Sequence, residues 1–136
     1  MNPKQFLLIG GVVLAVVGLA GFFGIIGPTP ERSLFGAWWW FDGSENWAHL
    51  IIGVVALVAA YLLGDMWQKW LVLTVGVTGL LVGLWGFMVS GGTVPNFYGA
   101  NLENPADNIL HLAVGLWALW AAMRGRKEVP AGPTAM

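Results

Sequence analysis

The stretch that decides the fold occurs twice in this chain, as DGSENWAHLIIGVVALVAA at 42–60 and as NPADNILHLAVGLWALWAA at 104–122. A shift of 62 residues aligns the two copies, and eight of their 19 positions are identical. The identical positions are Asn46/Asn108, His49/His111, Leu50/Leu112, Gly53/Gly115, Ala56/Ala118, Leu57/Leu119, Ala59/Ala121 and Ala60/Ala122. Shared membrane exposure would not keep Asn, His and Gly in register, so the pattern indicates an internal duplication.

The apolar segment that precedes each copy is repeated as well. GLAGF at 18–22 matches GLWGF at 83–87, with a slightly different offset from the following copy. Each repeat therefore contains two apolar segments, with repeat one at about 5–64 and repeat two at about 70–126. Because two spans return the chain to its starting side, both repeats have the same orientation. This arrangement predicts a pseudo-two-fold axis along the membrane normal.

Composition places the chain in a lipid bilayer. The sequence is 57% hydrophobic and 10% charged, with a mean hydropathy of +0.72, whereas soluble domains carry about 25% charged residues. Four apolar runs predict transmembrane helices at Phe6–Gly27, Trp47–Gly64, Trp70–Val89 and Ile109–Met123, the second and fourth lengthened by their polar starts. We therefore predict an all-α, polytopic membrane domain over 1–126 and a short disordered cytoplasmic tail at 127–136.

The charges predict the orientation of the helices. Basic residues at the N-terminus, in the short second loop and in the tail are Lys4, Lys69, Arg124, Arg126 and Lys127. Acidic residues in or beside the first and third loops are Glu31, Asp42, Glu45, Glu103 and Asp107. The positive-inside rule then puts both termini in the cytoplasm. Tryptophans mark both membrane boundaries: Trp38, Trp39, Trp40 and Trp47 outside, and Trp67 and Trp70 inside.

Each copy of the repeat begins with the residues that start helices. Asp42 and Asn104 are the expected N-caps, and Pro105 suits the first helical position. Glu45 and Asp107 follow three residues after these caps, where a carboxylate completes a capping box and favours the positive end of the helix dipole. Capping is therefore the simplest role for both acids.

One stripe of each repeated helix combines polar and small residues. It consists of Glu45, His49, Gly53, Ala56 and Ala60 in the first copy, and of Asp107, His111, Gly115, Ala118 and Ala122 in the second. Imidazole is costly to expose to hydrocarbon, and small residues allow close helix contact. We therefore expect both histidines to point inward, at equal depth toward the outer leaflet.

The paired histidines allow several interpretations. As structural ties, they would bond to a backbone carbonyl, to Asn46 or Asn108, or to the carboxylate one turn earlier. As axial ligands, His49 and His111 would hold haem or a (bacterio)chlorophyll-type pigment, with Gly53 and Gly115 leaving room for the macrocycle.

Two further interpretations involve the neighbouring acids or a pathway. A zinc or iron site could combine both histidines with Glu45 and Asp107, although acids four residues earlier are better placed to orient the rings than to bind the metal. A proton or solute path is also open, but the histidines lie near one face rather than at mid-membrane. We expect no metal at these residues.

The remaining features argue against enzyme activity. There is no cysteine, which excludes disulfides and thiol chemistry, and a net charge of −1 gives no footprint for nucleic acid. Neither a phosphate-binding loop nor a nucleophile–base constellation is found. The expected function is a non-enzymatic structural or accessory subunit of a larger membrane complex, with contacts to lipid and to other subunits. The alternative is a cofactor carrier that uses His49 and His111.

The paired Asn-x-x-His-Leu-x-x-Gly motif resembles that of a bacterial family of small four-helix membrane proteins of unknown function. Phe35-Gly36 and Tyr98-Gly99 precede the two motifs, and the resemblance covers most of residues 1–126. It implies the four-helix fold and a bacterial inner membrane, and it supplies no catalytic residues. The tryptophan-rich segment AWWWFDGSENW at 37–47 departs from the family and indicates a specialised partner or ligand.

Overall fold

The computed structural model describes residues 1–89, 92–93 and 95–124 and is built from four α-helices. They are α1 (Pro3–Phe22), α2 (Gly43–Leu62), α3 (Asp65–Val89) and α4 (Ala106–Met123), with short 3₁₀ turns at Pro30–Arg32 and Gly36–Trp38. Each helix is long and apolar enough to cross a bilayer. The prediction of an all-α fold with four membrane-spanning helices is confirmed. The expected tail at 127–136 lies outside the described residues.

The polar residues that begin α2 form the expected capping box. The Asp42 carboxylate accepts a hydrogen bond from the Glu45 amide at 2.9 Å, and the Glu45 carboxylate accepts one from the Asp42 amide at 2.9 Å. Both bonds satisfy amide groups that have no partner within the helix. The helix therefore starts at Gly43, four residues before the apolar run that predicts it.

The expected N-cap of α4 is wrong by one residue. Pro105 occupies the N-cap position and no side chain caps this helix, while the Asn104 side-chain oxygen accepts from Asn108 Nδ2 at 3.1 Å. Proline has no amide hydrogen, so an acid in the first turn cannot complete a capping box with it. Asp107 reaches back to the Glu103 amide instead, at 2.9 Å.

Helix α1 ends at Phe22, five residues before the end of the apolar run that predicts it. Gly24 has φ +75°, a left-handed conformation that glycine adopts without strain. The residues that follow form a loop in which Ile26 is buried and Ile25 is exposed, and the Phe41 amide donates to the Ile26 carbonyl at 2.6 Å. Hydrophobicity alone does not distinguish such a loop from another helical turn.

The helices pack as two pairs, α1 with α2 and α3 with α4. In the first pair the buried Asn46 amide fills the space that a Cβ on Gly21 would need, and in the second pair Asn108 does the same at Gly86. Gly21 and Gly86 also align in the sequence repeat. The absence of a side chain at these glycines lets the helix backbones approach closely.

The two pairs also match about two turns further along α2 and α4, at Gly53 and Gly115. A Cβ on Gly53 would lie 2.8 Å from the Gly11 carbonyl oxygen of α1, and a Cβ on Gly115 would lie 3.0 Å from the Gly76 carbonyl oxygen of α3. The repeated residues thus make repeated contacts within each pair. The pseudo-two-fold axis that would relate the pairs stays a prediction.

The two pairs meet mainly through α1, which contacts α3 and α4. At the end that holds the chain's N-terminus, Phe6 packs edge-on against Trp117 of α4, with ring centroids 4.7 Å apart. Val72 and Ala118 are fully buried beside it. The opposite end carries the segments that join α1 to α2 and α3 to α4, and is called the long-loop end below.

Candidate binding site at the long-loop end

Three acidic side chains converge at the long-loop end, between the two helix pairs. Glu45 belongs to the first turn of α2, Asp107 to the first turn of α4, and Glu103 to the segment just before α4. Carboxylate oxygens of all three lie within 4.8 Å of one another. Their side chains are only 4%, 2% and 7% exposed, respectively, so water screens them little.

Hydrogen-bond donors surround this cluster but do not satisfy all of it. Asp107 accepts from the indole N–H of Trp39 at 2.8 Å and from the Glu103 amide at 2.9 Å. Glu103 Oε1 accepts from the side-chain amide of Asn101. Glu103 Oε2 is buried and has no hydrogen-bond partner among the residues that the structure describes. An ionised Glu103 with such an unpaired buried oxygen would be costly.

The loops hold the acids in place through bonds that cross between the repeats. The Asn101 amide donates to Asp42 Oδ2 at 2.9 Å, which ties the segment before α4 to the start of α2. Asn96 fixes the same segment, since its side chain accepts from the Leu102 amide at 2.8 Å and donates to the Leu102 carbonyl at 3.2 Å. Trp39 connects the first loop to α4 through Asp107. The cluster is therefore set by both repeats.

The two histidines lie one helical turn further into the bundle, with ring centroids 6.5 Å apart. Nδ1 of His49 lies 2.8 Å from the Glu45 carbonyl oxygen, and Nδ1 of His111 lies 2.8 Å from the Asp107 carbonyl oxygen. A carbonyl only accepts, so each Nδ1 carries a hydrogen, and in a neutral ring the lone pair is then on Nε2. In the described part of the chain, neither Nε2 has a hydrogen-bond partner.

This geometry selects among the bonds expected for structural ties. Both histidines bond to a backbone carbonyl, and neither bonds to its carboxylate or to Asn46 or Asn108. The acids therefore do not orient the rings through their side chains. His49 is further held by Phe41, which stacks on it at 4.4 Å between centroids.

The four remaining residues of the predicted site serve helix packing. Gly53 and Gly115 face the backbones of α1 and α3, which fill the space beside them. Asn46 and Asn108 are fully buried at the crossings with Gly21 and Gly86. A flat macrocycle needs open space beside the glycines, and in each helix pair the neighbouring helix occupies that space.

Electrostatics make the acid cluster unstable as three free carboxylates. Burial raises the pKa of Glu103 well above its ordinary value, and neighbouring Asp107 and Glu45 raise that pKa further, while the Asn101 bond lowers it. Among the described residues no lysine or arginine pairs with the cluster. Either a proton or a metal cation must therefore offset the negative charge.

Two members of this site do not stand out as binding residues in the sequence. Glu103 counts there only as a loop acid, and Trp39 only as a membrane-boundary residue. The signal for Glu103 is its register: at the shift of 62 residues it aligns with Phe41, so the copies differ in chemistry just before each helix. No sequence signal pairs Trp39 with Asp107, because 68 residues separate them and the contact depends on the loop conformation.

Comparison with protein-family models, with curated proteins and with solved structures finds no match to this chain. The resemblance to the bacterial four-helix family stays a prediction. The geometry of the acids and histidines is therefore the basis for assigning a function.

Proposed function

We propose, against the expectation from the sequence that these residues hold no metal, that this protein is a non-enzymatic membrane protein that binds a divalent metal ion through Glu45, Glu103 and Asp107. The observation that carries the proposal is Glu103 Oε2, a buried oxygen without a hydrogen-bond partner among the described residues, beside two further buried carboxylates. Hard divalent cations bind such carboxylate oxygens, at about 2.0–2.6 Å. Oxygens on opposite sides of one ion are then about 4–5 Å apart, and the separations within this cluster fit that limit.

A proton is the competing occupant, since one proton shared between Glu103 and Asp107 would also give Oε2 a partner. It would neutralise one charge of three. Glu45, Glu103 and Asp107 come from both helix pairs and converge on one point, which a cation can contact simultaneously and a proton cannot. The cation offsets more of the mutual repulsion.

Metal binding by the purified protein tests this proposal. Equilibrium dialysis against Mn²⁺, followed by metal analysis, should find about one ion per chain. Glu103→Gln should weaken binding on the order of tenfold or more, because it removes a charged ligand. Glu31→Gln is the matched control, since Glu31 is a solvent-exposed acid in the loop between α1 and α2.

The competing outcome is specific. If the wild-type protein retains none of Mg²⁺, Ca²⁺, Mn²⁺ or Zn²⁺ above the level of Glu103→Gln, a proton alone occupies the cluster and the proposed function is wrong. Equal binding by wild type and Glu103→Gln, with ions retained, would place the ion elsewhere and contradict it as well.

We further propose that the protein lies in a bacterial inner membrane with both termini in the cytoplasm and the long-loop end outside. The distribution of basic residues supports this orientation. Trp38 and Trp47 toward the long-loop end, and Trp67 and Trp70 at the other, are about 60% exposed, as residues at a lipid–water boundary are. The metal ion would then enter from outside the cell.

Labelling of single cysteines tests the orientation, and the cysteine-free chain makes it direct. In intact cells, a membrane-impermeant maleimide should label Leu34→Cys, which replaces a residue that is 79% exposed at the long-loop end. It should label Lys69→Cys only after lysis. The reverse pattern would place the termini outside.

A place as an accessory subunit of a larger membrane complex is compatible with this function. Many large apolar side chains lie on the outward faces of the helices, where lipid or another membrane chain can cover them. Purification in mild detergent should recover additional membrane proteins with this chain. If the protein is instead recovered as a monomer that still holds its metal ion, it is not a subunit of a stable complex, and only the ion-binding function remains.

A further inference from the structure

We infer that the cavity between the two long loops is the entrance through which a hydrated divalent cation reaches the acid cluster. This inference rests on the proposed function and adds the route to its site. The cavity has a volume of about 490 Å³ and is lined by residues of both repeats. Trp40, Asp42 and Ser44 line it from the first repeat, and Gly99 and Asn101 line it from the second.

Two residues contact both the cavity and the acid cluster. Asp42 lines the cavity, and its backbone amide donates to the Glu45 carboxylate at 2.9 Å. Asn101 lines the cavity as well, and its side-chain amide donates to Glu103 Oε1. The Asn101 backbone amide donates to Asp42 Oδ2 at 2.9 Å, so the two residues are also bonded to each other. The wall of the cavity is therefore one hydrogen bond away from two of the three proposed ligands.

The charge of the cavity suits a cation. Asp42 is the only charged residue among the described residues that line it, and neither lysine nor arginine is among them. Charge of one sign along a cleft raises the local concentration of the opposite ion and increases its association rate. The cavity therefore attracts cations and contains nothing that repels them.

The size of the cavity suits an ion that still carries its water. A divalent ion with about six waters occupies roughly 200 Å³, since each water takes about 30 Å³ in the liquid. The cavity is large enough for such an ion, whereas the side chains of the acid cluster are at most 7% exposed. An ion therefore enters the cavity hydrated and exchanges part of its water for carboxylate oxygens at the cluster.

A chemical block of the cavity tests this route. The chain contains no cysteine, so Ser44→Cys, at an exposed position that lines the cavity, offers a single thiol for a bulky maleimide. Uptake of Mn²⁺ by the purified protein is measured after rapid mixing, by loss of the electron paramagnetic resonance signal of the free ion. Release is measured by mixing the loaded protein with an excess of a fluorescent chelator.

The block should act on both rates equally. We expect the label on Ser44→Cys to slow uptake and release about tenfold or more each, and to change the dissociation constant less than about twofold. An obstructed route hinders the ion in both directions, whereas loss of a ligand changes the dissociation constant. Leu34→Cys with the same label is the control and should keep both rates, since Leu34 is 79% exposed at the long-loop end and does not line the cavity.

The charge of the label tests the role of charge in the cavity. Two methanethiosulfonate reagents of similar size, one positive and one negative, modify the same Ser44→Cys thiol. At low ionic strength the positive label should slow Mn²⁺ uptake on the order of tenfold more than the negative label, and salt should reduce the difference. The added bulk is the same for both reagents. Equal uptake rates would therefore contradict the inference.

The outcomes separate this inference from the proposed function. Mn²⁺ binding by the wild type, together with unchanged rates in labelled Ser44→Cys, would place the entrance elsewhere and overturn the inference alone. Weaker binding with faster release would make the cavity part of the binding site, which also contradicts it. Failure of the wild type to bind any divalent ion would overturn the proposed function, and the inference with it.

A second position keeps the experiment decisive if Ser44→Cys does not fold or does not bind Mn²⁺ before labelling. Gly43 also lines the cavity, and a Cβ added there would meet nothing within 4 Å. Gly43→Cys then carries the same labels, with the same expected results.

Discussion

The two helix pairs pack in the same way within the bundle and differ where α2 and α4 begin. Asn46 lies against Gly21 in the first pair as Asn108 lies against Gly86 in the second, and both histidines make the same bond to a carbonyl. Before the helices, Phe41 of the first pair stacks on a histidine, whereas Glu103 at the aligned position joins the acid cluster.

The acids of the first turn also differ in what they bond to. Glu45 closes a capping box within its own repeat, while Asp107 accepts the indole N–H of Trp39 from the other repeat. The contacts that are duplicated hold helices together, and the contacts that are not duplicated build the candidate site. Divergence between the copies is thus concentrated at the residues to which we assign binding.

The largest expected effect concerns the duplicated contacts. Gly21→Ala and Gly86→Ala should each destabilise the protein by about 3 kcal/mol, because the new methyl group would overlap a buried asparagine amide. Thermal unfolding in detergent measures the loss. Gly10→Ala is the control, since its Cβ would meet only the Phe6 ring, at 3.9 Å. A large effect in one pair alone would mean that the pairs do not pack alike.

A smaller effect is expected for the bond that crosses between the repeats. Trp39→Phe keeps most of the ring but removes the donor to Asp107, and should cost about 1.5–3 kcal/mol because a buried carboxylate loses a partner. Trp38→Phe, at a position that is 60% exposed, should change stability little. Equal melting temperatures for the two variants would show that the indole bond contributes nothing.

The two helix starts should differ by a further, smaller amount. Asp42→Ala removes the acceptor for the Glu45 and Asn101 amides, whereas Asn104→Ala removes one side-chain bond. Asp42→Ala should therefore destabilise the protein by about 1 kcal/mol more than Asn104→Ala. The same unfolding measurement compares them, and the opposite order would restore Asn104 as the important cap.

No effect at all is expected in the absorption spectrum, which tests the tetrapyrrole alternative. Because α1 and α3 fill the space beside Gly53 and Gly115, we expect no Soret or long-wavelength band in protein purified from its native membrane. A band that His49→Ala and His111→Ala each shift would establish a pigment on the paired histidines and would replace the metal-ion proposal.

The sequence alone is sufficient for the parts of the fold that hydrophobicity and duplication govern. The end of α4 at Met123 agrees with the apolar run, and Asp42 caps α2 as its residue type indicates. Membrane-spanning helices are visible in the sequence because each must form its backbone hydrogen bonds internally and remain hydrophobic over its length.

The rest depends on contacts that are distant in the sequence. The predicted end of α1 is wrong because Ile26 lies in a loop, where it is buried against Phe41. A buried loop segment can be as hydrophobic as a helix. The cluster of Glu45, Glu103 and Asp107 could not be assembled, since it requires both long loops to fold toward each other. Glu103 also lies at a position where the two copies differ, so the identities between the repeats do not mark it.

The acid cluster draws its ligands from two helix pairs that otherwise touch mainly through α1. An ion bound there would hold the two pairs together at the long-loop end, because its ligands would come from both pairs. Its binding free energy adds to the free energy that keeps the pairs together, by about 2.7 kcal/mol when the ion is present at 100 times its dissociation constant. Removal of the ion would loosen that end first and leave the Phe6–Trp117 contact at the opposite end as the hinge.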